Sequence, residues 1–209
     1  MISMTTKIKQ LISFMDERYP SVGCELKYNK DYELVIAVML SAQTTDVAVN
    51  KVTAVLFSKY QTLEELSNAK LKDVEEIIRS IGLYKNKAKN LLRIAQDLVN
   101  KYEGKVPSDK DELQKLPGVG NKTAGVIRAE IFQIPDLPVD THILRISKRL
   151  KIVDSSADSY KTEMKLKSLI PEDRWIKTHH QLIHFGRYHC TARNPQCENC
   201  KLAGICTKK

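Results

Sequence analysis

The sequence contains no long apolar run, and this absence excludes a protein with membrane-spanning helices. None of its apolar stretches approaches the roughly 20 residues that a helix needs to cross a bilayer. The first ten residues, from Met1 to Gln10, also lack the apolar core of a signal peptide. We therefore expect a cytoplasmic protein that does not insert into a membrane.

The chain also lacks a convincing strand pattern, a low-complexity segment and an internal repeat. Apolar residues at helical spacing over 6–18 predict an amphipathic helix. The run Tyr32–Leu40 is apolar nearly all round, and its length favours a core helix over a buried strand. Asp46 is the predicted N-cap of the next helix, and a further helix is predicted over 71–81. The sequence thus predicts an all-α protein of about ten helices, in one domain or two small ones.

Acidic residues are outnumbered by basic ones. The 209 residues include 34 Lys and Arg against 25 Asp and Glu, a formal net charge of +9. This excess favours a polyanionic partner such as nucleic acid. A generally basic protein without such a partner has the same composition, so charge alone leaves both interpretations open.

Cysteine is scarce except at the C-terminal end. Cys24 stands alone, and we interpret it as a small, half-buried apolar residue. The other four form the pattern C-x6-C-x2-C-x5-C, and they are Cys190, Cys197, Cys200 and Cys206. Such crowding indicates a metal centre rather than a disulfide framework. Zinc remains an alternative, but zinc sites usually contain two close pairs, and the uneven spacing favours a [4Fe-4S] cluster.

The segment around these cysteines is basic. Its cations can face phosphates from a metal-stabilised loop, although charges on a solvated tail have the same pattern. They are Arg187, Arg193, Lys201, Lys208 and Lys209.

A tight hairpin is predicted at Leu116–Ala124. Pro117 and two glycines end one helix, and the next helix begins with Lys122 on its first turn. The free N–H groups and the positive dipole end at a helix start suit a phosphate, and glycines let a phosphate backbone approach closely. Gly118 and Gly120 are therefore candidate contacts to a phosphate backbone.

Asp140 follows Lys122 by eighteen positions, directly before an apolar-periodic segment. It is a predicted N-cap, which is a structural role that is compatible with a catalytic one. His142 lies next to it, but a packed, hydrogen-bonded histidine explains that residue equally well. His180 and His184 stand four positions apart on a predicted helix, yet no glutamate motif accompanies them as in a metalloprotease.

The hairpin, Asp140 and the cysteine loop together closely resemble the endonuclease III family of helix-hairpin-helix DNA glycosylases and abasic-site lyases. The resemblance extends over essentially the whole chain. It includes the segments Leu34–Asn50, Ile81–Tyr84, Asp140–His142 and His184–Tyr188. Departures from the family pattern occur at Asn121, where many relatives have a basic residue, and at Gly125.

The resemblance implies two helical domains with a DNA-binding cleft between them. One domain would comprise residues 24–134 with the hairpin, and the other residues 1–23 plus 135–209 with the [4Fe-4S] cluster. It also implies that Lys122 attacks the sugar of a damaged nucleotide and that Asp140 faces it across the cleft and stabilises the developing positive charge. The expected partner is damaged double-stranded DNA carrying oxidised pyrimidines, bound by a monomer.

The same resemblance assigns Gln43 and Leu83 to the duplex, where they would fill the gap left by an extruded base. Each residue also has a purely structural interpretation: Gln43 as a polar residue at a helix end, and Leu83 as a core leucine. Arg193 would contact phosphate. Two rival functions remain, an adenine-type mismatch glycosylase and a non-catalytic helix-hairpin-helix DNA-binding protein. Neither requires a lysine at position 122.

Overall fold

The computed structural model describes residues 3–207, and this part of the chain is helical, without a β-strand. Within it, no helix combines the length and the apolar character needed to span a bilayer. The helices in chain order are α1 (Met4–Arg18), α2 (Asp31–Leu40), α3 (Asp46–Lys59), α4 (Leu63–Ser67), α5 (Leu71–Ile78), α6 (Tyr84–Tyr102), α7 (Lys110–Lys115), α8 (Asn121–Phe132), α9 (Thr141–Arg149), α10 (Ser159–Lys167) and α11 (Trp175–Tyr188). Short 3-10 turns lie at Glu172–Arg174 and Ala203–Ile205.

The chain divides into two compact units. Cys24–Phe132 forms the central unit, and the segments before and after it form the terminal unit. Each unit has its own apolar core, as expected when two domains fold around separate sets of helices. The all-α prediction is confirmed.

Helix α2 is the core of the central unit. Every side chain from Tyr32 to Leu40 is buried, and the helix packs against α3, α6 and α8. A helix that is apolar all round is stable only when other elements surround it. The sole acidic residue among these buried positions, Glu33, accepts hydrogen bonds from the backbone N–H groups of Asn29 and Lys30 at 2.7 and 3.4 Å. The predicted core helix is therefore confirmed.

Two local predictions are wrong. Thr45, and not Asp46, is the N-cap of α3, since its hydroxyl accepts from the N–H of Ala48 at 3.3 Å. Asp46 occupies the first turn instead, where a carboxylate favours the positive end of the helix dipole. Helix α5 ends at Ile78 rather than Ile81, because the chain must turn there to reach the left-handed backbone of Leu83 (φ 58°) that starts α6.

The terminal unit joins α1 to α11 through an ion-pair network around Asp16. Its carboxylate accepts from Arg174 Nη2 at 2.8 Å and from Gln181 Nε2 at 3.1 Å, and Lys177 Nζ lies 2.9 Å away. Partial burial acts to raise the pKa of Asp16, but the hydrogen bonds from Lys177, Arg174 and Gln181 outweigh it, so the pKa lies well below its usual range. The network connects residues that are about 160 positions apart in sequence. It therefore links the N-terminal and C-terminal segments that together form the terminal unit.

We expect Asp16→Asn to lower the free energy of unfolding by about 1 kcal/mol at neutral pH, because the pairs are only partly exposed. Since the folded-state pKa is depressed, this contribution is present above about pH 4 and is lost as the pH falls further. Urea unfolding of both proteins between neutral and acidic pH measures it. The control is Asp73→Asn, which removes the exposed 3.5 Å pair with Lys59. A difference from wild type that does not shrink in acid would contradict the electrostatic explanation.

Candidate DNA-repair site and iron-sulfur loop

The hairpin between α7 and α8 depends on one glycine. The N–H of Val119 donates to the carbonyl of Leu116 at 3.1 Å, which closes the turn. Gly118 has φ +80°, and a Cβ atom there would lie 2.9 Å from Asn90 Nδ2 and 3.1 Å from Met39 Cγ. This backbone strains any residue other than glycine, and a side chain there would also require Asn90 of α6 and Met39 of α2 to shift.

Gly120 differs from Gly118, because a Cβ atom there would meet nothing within 4 Å. Its carbonyl accepts the N–H of Ala124 at 2.9 Å, which begins the hydrogen bonding of α8. The folded protein itself thus does not require glycine here. An exposed glycine before a helix start leaves room for an approaching ligand, which suits a phosphate.

Lys122 is exposed on the first turn of α8, directly after this hairpin. Asn121 before it is also exposed, whereas Gly125 is buried in the helix. The small residue at 125 therefore faces the core, and its departure from the family pattern has no direct bearing on the exposed surface.

Asp140 caps α9, as predicted. Its Oδ1 accepts the N–H of Ile143 at 2.8 Å, and the second oxygen has no hydrogen-bond partner in the described chain. The side chain is half-buried. Capping therefore uses one oxygen of the carboxylate and leaves the other for a ligand.

His142 is a packed histidine. Its Nδ1 lies 3.1 Å from Arg145 Nη2, and its Cβ is so close to Gly186 that a Cβ atom on that glycine would lie 2.7 Å away. Burial lowers the pKa of His142. The packing interpretation of this residue is confirmed.

Gln43 and Leu83 are both exposed, and both have left-handed backbones, with φ 55° and 58°. Leu83 is 63% exposed, which excludes the alternative of a core leucine. Gln43 lies just beyond the C-terminal end of α2, and Leu83 is the N-cap of α6. Such backbones in residues other than glycine cost free energy and are frequent at functional sites.

The four C-terminal cysteines line one cavity together with apolar residues of α9 and α11. Across residues 3–207, no three His, Cys, Asp or Glu side chains are arranged to hold a single metal ion. Four thiols around a shared volume provide the donor set that a [4Fe-4S] cluster requires. Burial, followed by the neighbouring thiols, raises the pKa of Cys200, and a bound metal centre would compensate for this repulsion by holding the ligands as thiolates.

Two arginines of α9 bind the beginning of the cysteine loop. Arg149 Nη1 donates to Cys190 Sγ at 3.0 Å and to the carbonyl of Thr191 at 2.8 Å. Arg145 donates to the carbonyls of Cys190 and Gly186 at 3.0 and 2.8 Å. The carbonyl of Arg149 also accepts from Thr207 N at 2.8 Å, so both ends of the loop are attached to α9.

The basic residues of the loop are not equivalent. Arg193 is exposed, as a phosphate contact requires, whereas Lys201 forms an ion pair with Glu17. Lys208 and Lys209 lie outside the described residues. Sequence reasoning did not identify the loop carbonyls as the partners of the α9 arginines, because no motif marks them.

Family models match both parts of the site. Residues 36–172 match the HhH-GPD superfamily base excision DNA repair protein, a range that includes the second half of α2, the hairpin and Asp140. Residues 190–206, from the first to the last of the four cysteines, match the iron-sulfur binding domain of endonuclease III. Fold and site thus define a helix-hairpin-helix DNA repair protein with a cysteine-bound iron-sulfur centre.

Similarity to known proteins identifies the family within this class. The endonuclease III of Bacillus subtilis (strain 168) is 45% identical over 202 residues, which cover 95% of this chain and 92% of that protein. The endonuclease III of Escherichia coli (strain K12) is 38% identical over 200 residues, with coverages of 96% and 94%. A solved structure of a trapped endonuclease III–DNA covalent intermediate superimposes with a TM-score of 0.94 at 45% identity, covering 99% of this chain and 97% of the other. The chain belongs to the endonuclease III family.

Membership in this family makes the chain a DNA glycosylase and abasic-site lyase of base excision repair, with a [4Fe-4S] cluster. The resemblance stated from the sequence is confirmed, and so is the choice of an iron-sulfur cluster over zinc.

We expect Gly118→Ala to destabilise the protein more than Gly104→Ala. Both glycines have positive φ, +80° and +77°, but a Cβ atom at Gly104 would meet nothing within 4 Å. The Gly104 variant therefore measures the cost of the backbone alone, roughly 1–2 kcal/mol. Gly118→Ala adds the clash with Asn90 and Met39. Equal losses in urea unfolding would contradict the close packing of the hairpin.

Proposed function

We propose that the enzyme acts as a monomer on damaged double-stranded DNA, with Lys122 as nucleophile and Asp140 as its electrostatic partner. The observation that carries this proposal is the position of Lys122, an exposed amine on the first turn of α8. It directly follows the hairpin, in which Gly120 has open space beside it for a ligand. Oxidised pyrimidines are the proposed substrates, following the resemblance to the family.

The amine of Lys122 accounts for both base removal and strand cleavage. Its lone pair attacks the sugar C1′, the glycosidic C–N bond breaks, and the base leaves. Loss of a proton from the nitrogen and ring opening give an imine between lysine and sugar. The imine acidifies the C2′ proton, and its removal expels the 3′ phosphate oxygen by β-elimination. Hydrolysis of the imine by water then releases the lysine.

Asp140 contributes a negative charge near the reacting sugar. Positive charge develops at C1′ as the base departs, and a fixed carboxylate stabilises it. Because the Ile143 N–H fixes one oxygen, the side chain cannot rotate freely. The second oxygen is then oriented by the same hydrogen bond that caps α9.

Binding requires contacts that do not take part in the chemistry. Gln43 and Leu83 are the proposed wedges that enter the duplex when the damaged nucleotide is extruded. Gly118 and Gly120 at the hairpin and Arg193 in the cysteine loop are the proposed phosphate contacts, so affinity should fall with increasing salt.

The first test is covalent trapping. On a duplex that contains an oxidised pyrimidine, borohydride should reduce the imine and leave an enzyme–DNA adduct visible by denaturing electrophoresis. Lys122→Ala should form no adduct while still binding the duplex, because the amine is lost but the hairpin is retained. The control is Lys115→Ala, which removes an exposed lysine on the other side of the hairpin that pairs with Glu112 at 2.5 Å. An adduct with the Lys122 variant would assign the nucleophile elsewhere, and equal trapping on undamaged duplex would refute lesion specificity.

The second test separates capping from catalysis at Asp140. Asp140→Asn keeps an oxygen for the Ile143 N–H but removes the charge, so we expect base excision to fall by about 100-fold or more with little change in stability. Asp158→Asn is the matched control, since Asp158 caps α10 through the N–H of Lys161 at 2.7 Å. Single-turnover excision and urea unfolding measure the two effects. Similar activity in both variants would leave Asp140 with a structural role only.

A further inference from the structure

Lys87 is a buried lysine that belongs to none of the motifs and takes no part in the chemistry described above. It lies near the start of α6 and is only 5% exposed. Its Nζ donates to the carbonyls of Leu40 and Ala42, both at 2.8 Å, and to Thr44 Oγ1 at 2.7 Å. Within the described chain it forms no ion pair with a carboxylate, and burial lowers its pKa.

The partners of Lys87 surround Gln43. Leu40 ends α2, and Ala42 and Thr44 are the two neighbours of Gln43 in sequence. A lysine at the C-terminal end of a helix commonly caps its last carbonyls, and the contact with Leu40 is of this kind. The contacts with Ala42 and Thr44 lie beyond the helix, so they fix the loop itself.

The helix that contains Lys87 begins next to the second proposed wedge residue, Leu83, which is its N-cap. The N–H of Lys87 donates to the carbonyl of Leu83 at 3.0 Å, as the first helical hydrogen bond of α6. Gln43 and Leu83 are two of the five exposed residues other than glycine that have left-handed backbones in the described chain. The side chain of Lys87 attaches the Gln43 loop to the first turn of α6, the helix that Leu83 caps. Conformations of this kind persist only where the surroundings fix them.

The ammonium group of Lys87 is saturated by these contacts. An ammonium has three N–H donors, and the three oxygen acceptors use all of them. It therefore has no donor left for a phosphate. Burial of a charged group without a counter-charge costs free energy, which the three hydrogen bonds offset. These contacts suit Lys87 to holding the loop rather than to binding DNA.

We propose that Lys87 is a positioning residue whose side chain fixes the Gln43 loop against the start of α6, so that Gln43 and Leu83 form one preformed wedge. This inference rests on the proposed function, because it assumes that both side chains enter the duplex. If the wedge is ordered before DNA arrives, base extrusion does not include the entropy cost of ordering two loops. Loss of Lys87 should therefore impair steps that require extrusion and spare steps that do not.

The experiment compares Lys87→Met with Lys89→Met, which changes an exposed lysine of the same helix. Two abasic substrates are used, one in a fully paired duplex and one in a short unpaired bubble with the same flanking sequence. In the bubble the target nucleotide is already unstacked, so no wedge is needed. We expect Lys87→Met to lower kcat/KM by about 10-fold or more on the duplex and by less than about twofold on the bubble, with Lys89→Met unchanged on both.

A double-mutant cycle with Gln43→Ala provides a second readout. If Lys87 acts through the wedge, Lys87→Met should cost much less in the Gln43→Ala background than in the wild type. The fluorescence of 2-aminopurine placed opposite the abasic site reports unstacking independently of strand cleavage, and its rise should be reduced by Lys87→Met. Where Lys87→Met does not fold, Thr44→Val removes one acceptor and should produce a smaller loss on the duplex alone.

The outcomes separate this inference from the function on which it rests. Equal losses on duplex and bubble, full additivity with Gln43→Ala, or no loss at all would overturn the role of Lys87. If Gln43→Ala itself leaves duplex cleavage unchanged, the proposed wedge is wrong. If the wild type forms no borohydride adduct, the catalytic proposal fails before either question arises.

Discussion

Burial of α2 on every side is the constraint on which the arrangement of the central unit depends. A helix without a polar face can be stable only if neighbouring helices cover it completely, and here α3, α6 and α8 do so. Its position is therefore fixed by close packing around its whole circumference. The helices and loops that pack against α2 are therefore held in fixed positions as well.

Two parts of the proposed DNA-binding surface are attached to this helix. The Gln43 loop continues from its C-terminal end, and Lys87 attaches that loop to α6. The hairpin approaches it at Gly118, where a Cβ atom would lie 3.1 Å from Met39 Cγ. The exposed residues are thus held by contacts in the interior, and a substitution beneath them can alter function without touching DNA.

Helix α9 has a comparable role in the terminal unit. It begins at the cap Asp140 and carries, within the next two to three turns, the arginines that bind the first cysteine segment. The cysteine loop in return binds the end of α9 through Thr207. Order in the loop and order in the helix that presents Asp140 are therefore coupled by direct hydrogen bonds. The cluster ligands contribute to this order, because a metal centre fixes the loop that bears them.

The sequence was sufficient where a local rule determines the structure. Continuous apolar character identified α2, the proline and glycines identified the hairpin, and the cysteine spacing identified the cluster loop. It failed at the start of α3, where adjacent Thr45 and Asp46 are both good N-caps and the choice depends on backbone geometry. Lys87 was missed for a related reason. A lysine in an amphipathic helix is normally exposed, and only the three-dimensional structure places oxygen atoms around it.

The two hairpin glycines illustrate how structure separates roles that the sequence pattern combines. Both belong to one motif, but Gly118 is required by its own neighbours, whereas Gly120 has empty space beside it. A residue whose small size serves the fold should be constrained even without DNA. A residue whose small size serves a ligand should be constrained only when the ligand is present. The same distinction applies to the lysines, because buried Lys87 is saturated by the protein and exposed Lys122 remains available to a substrate.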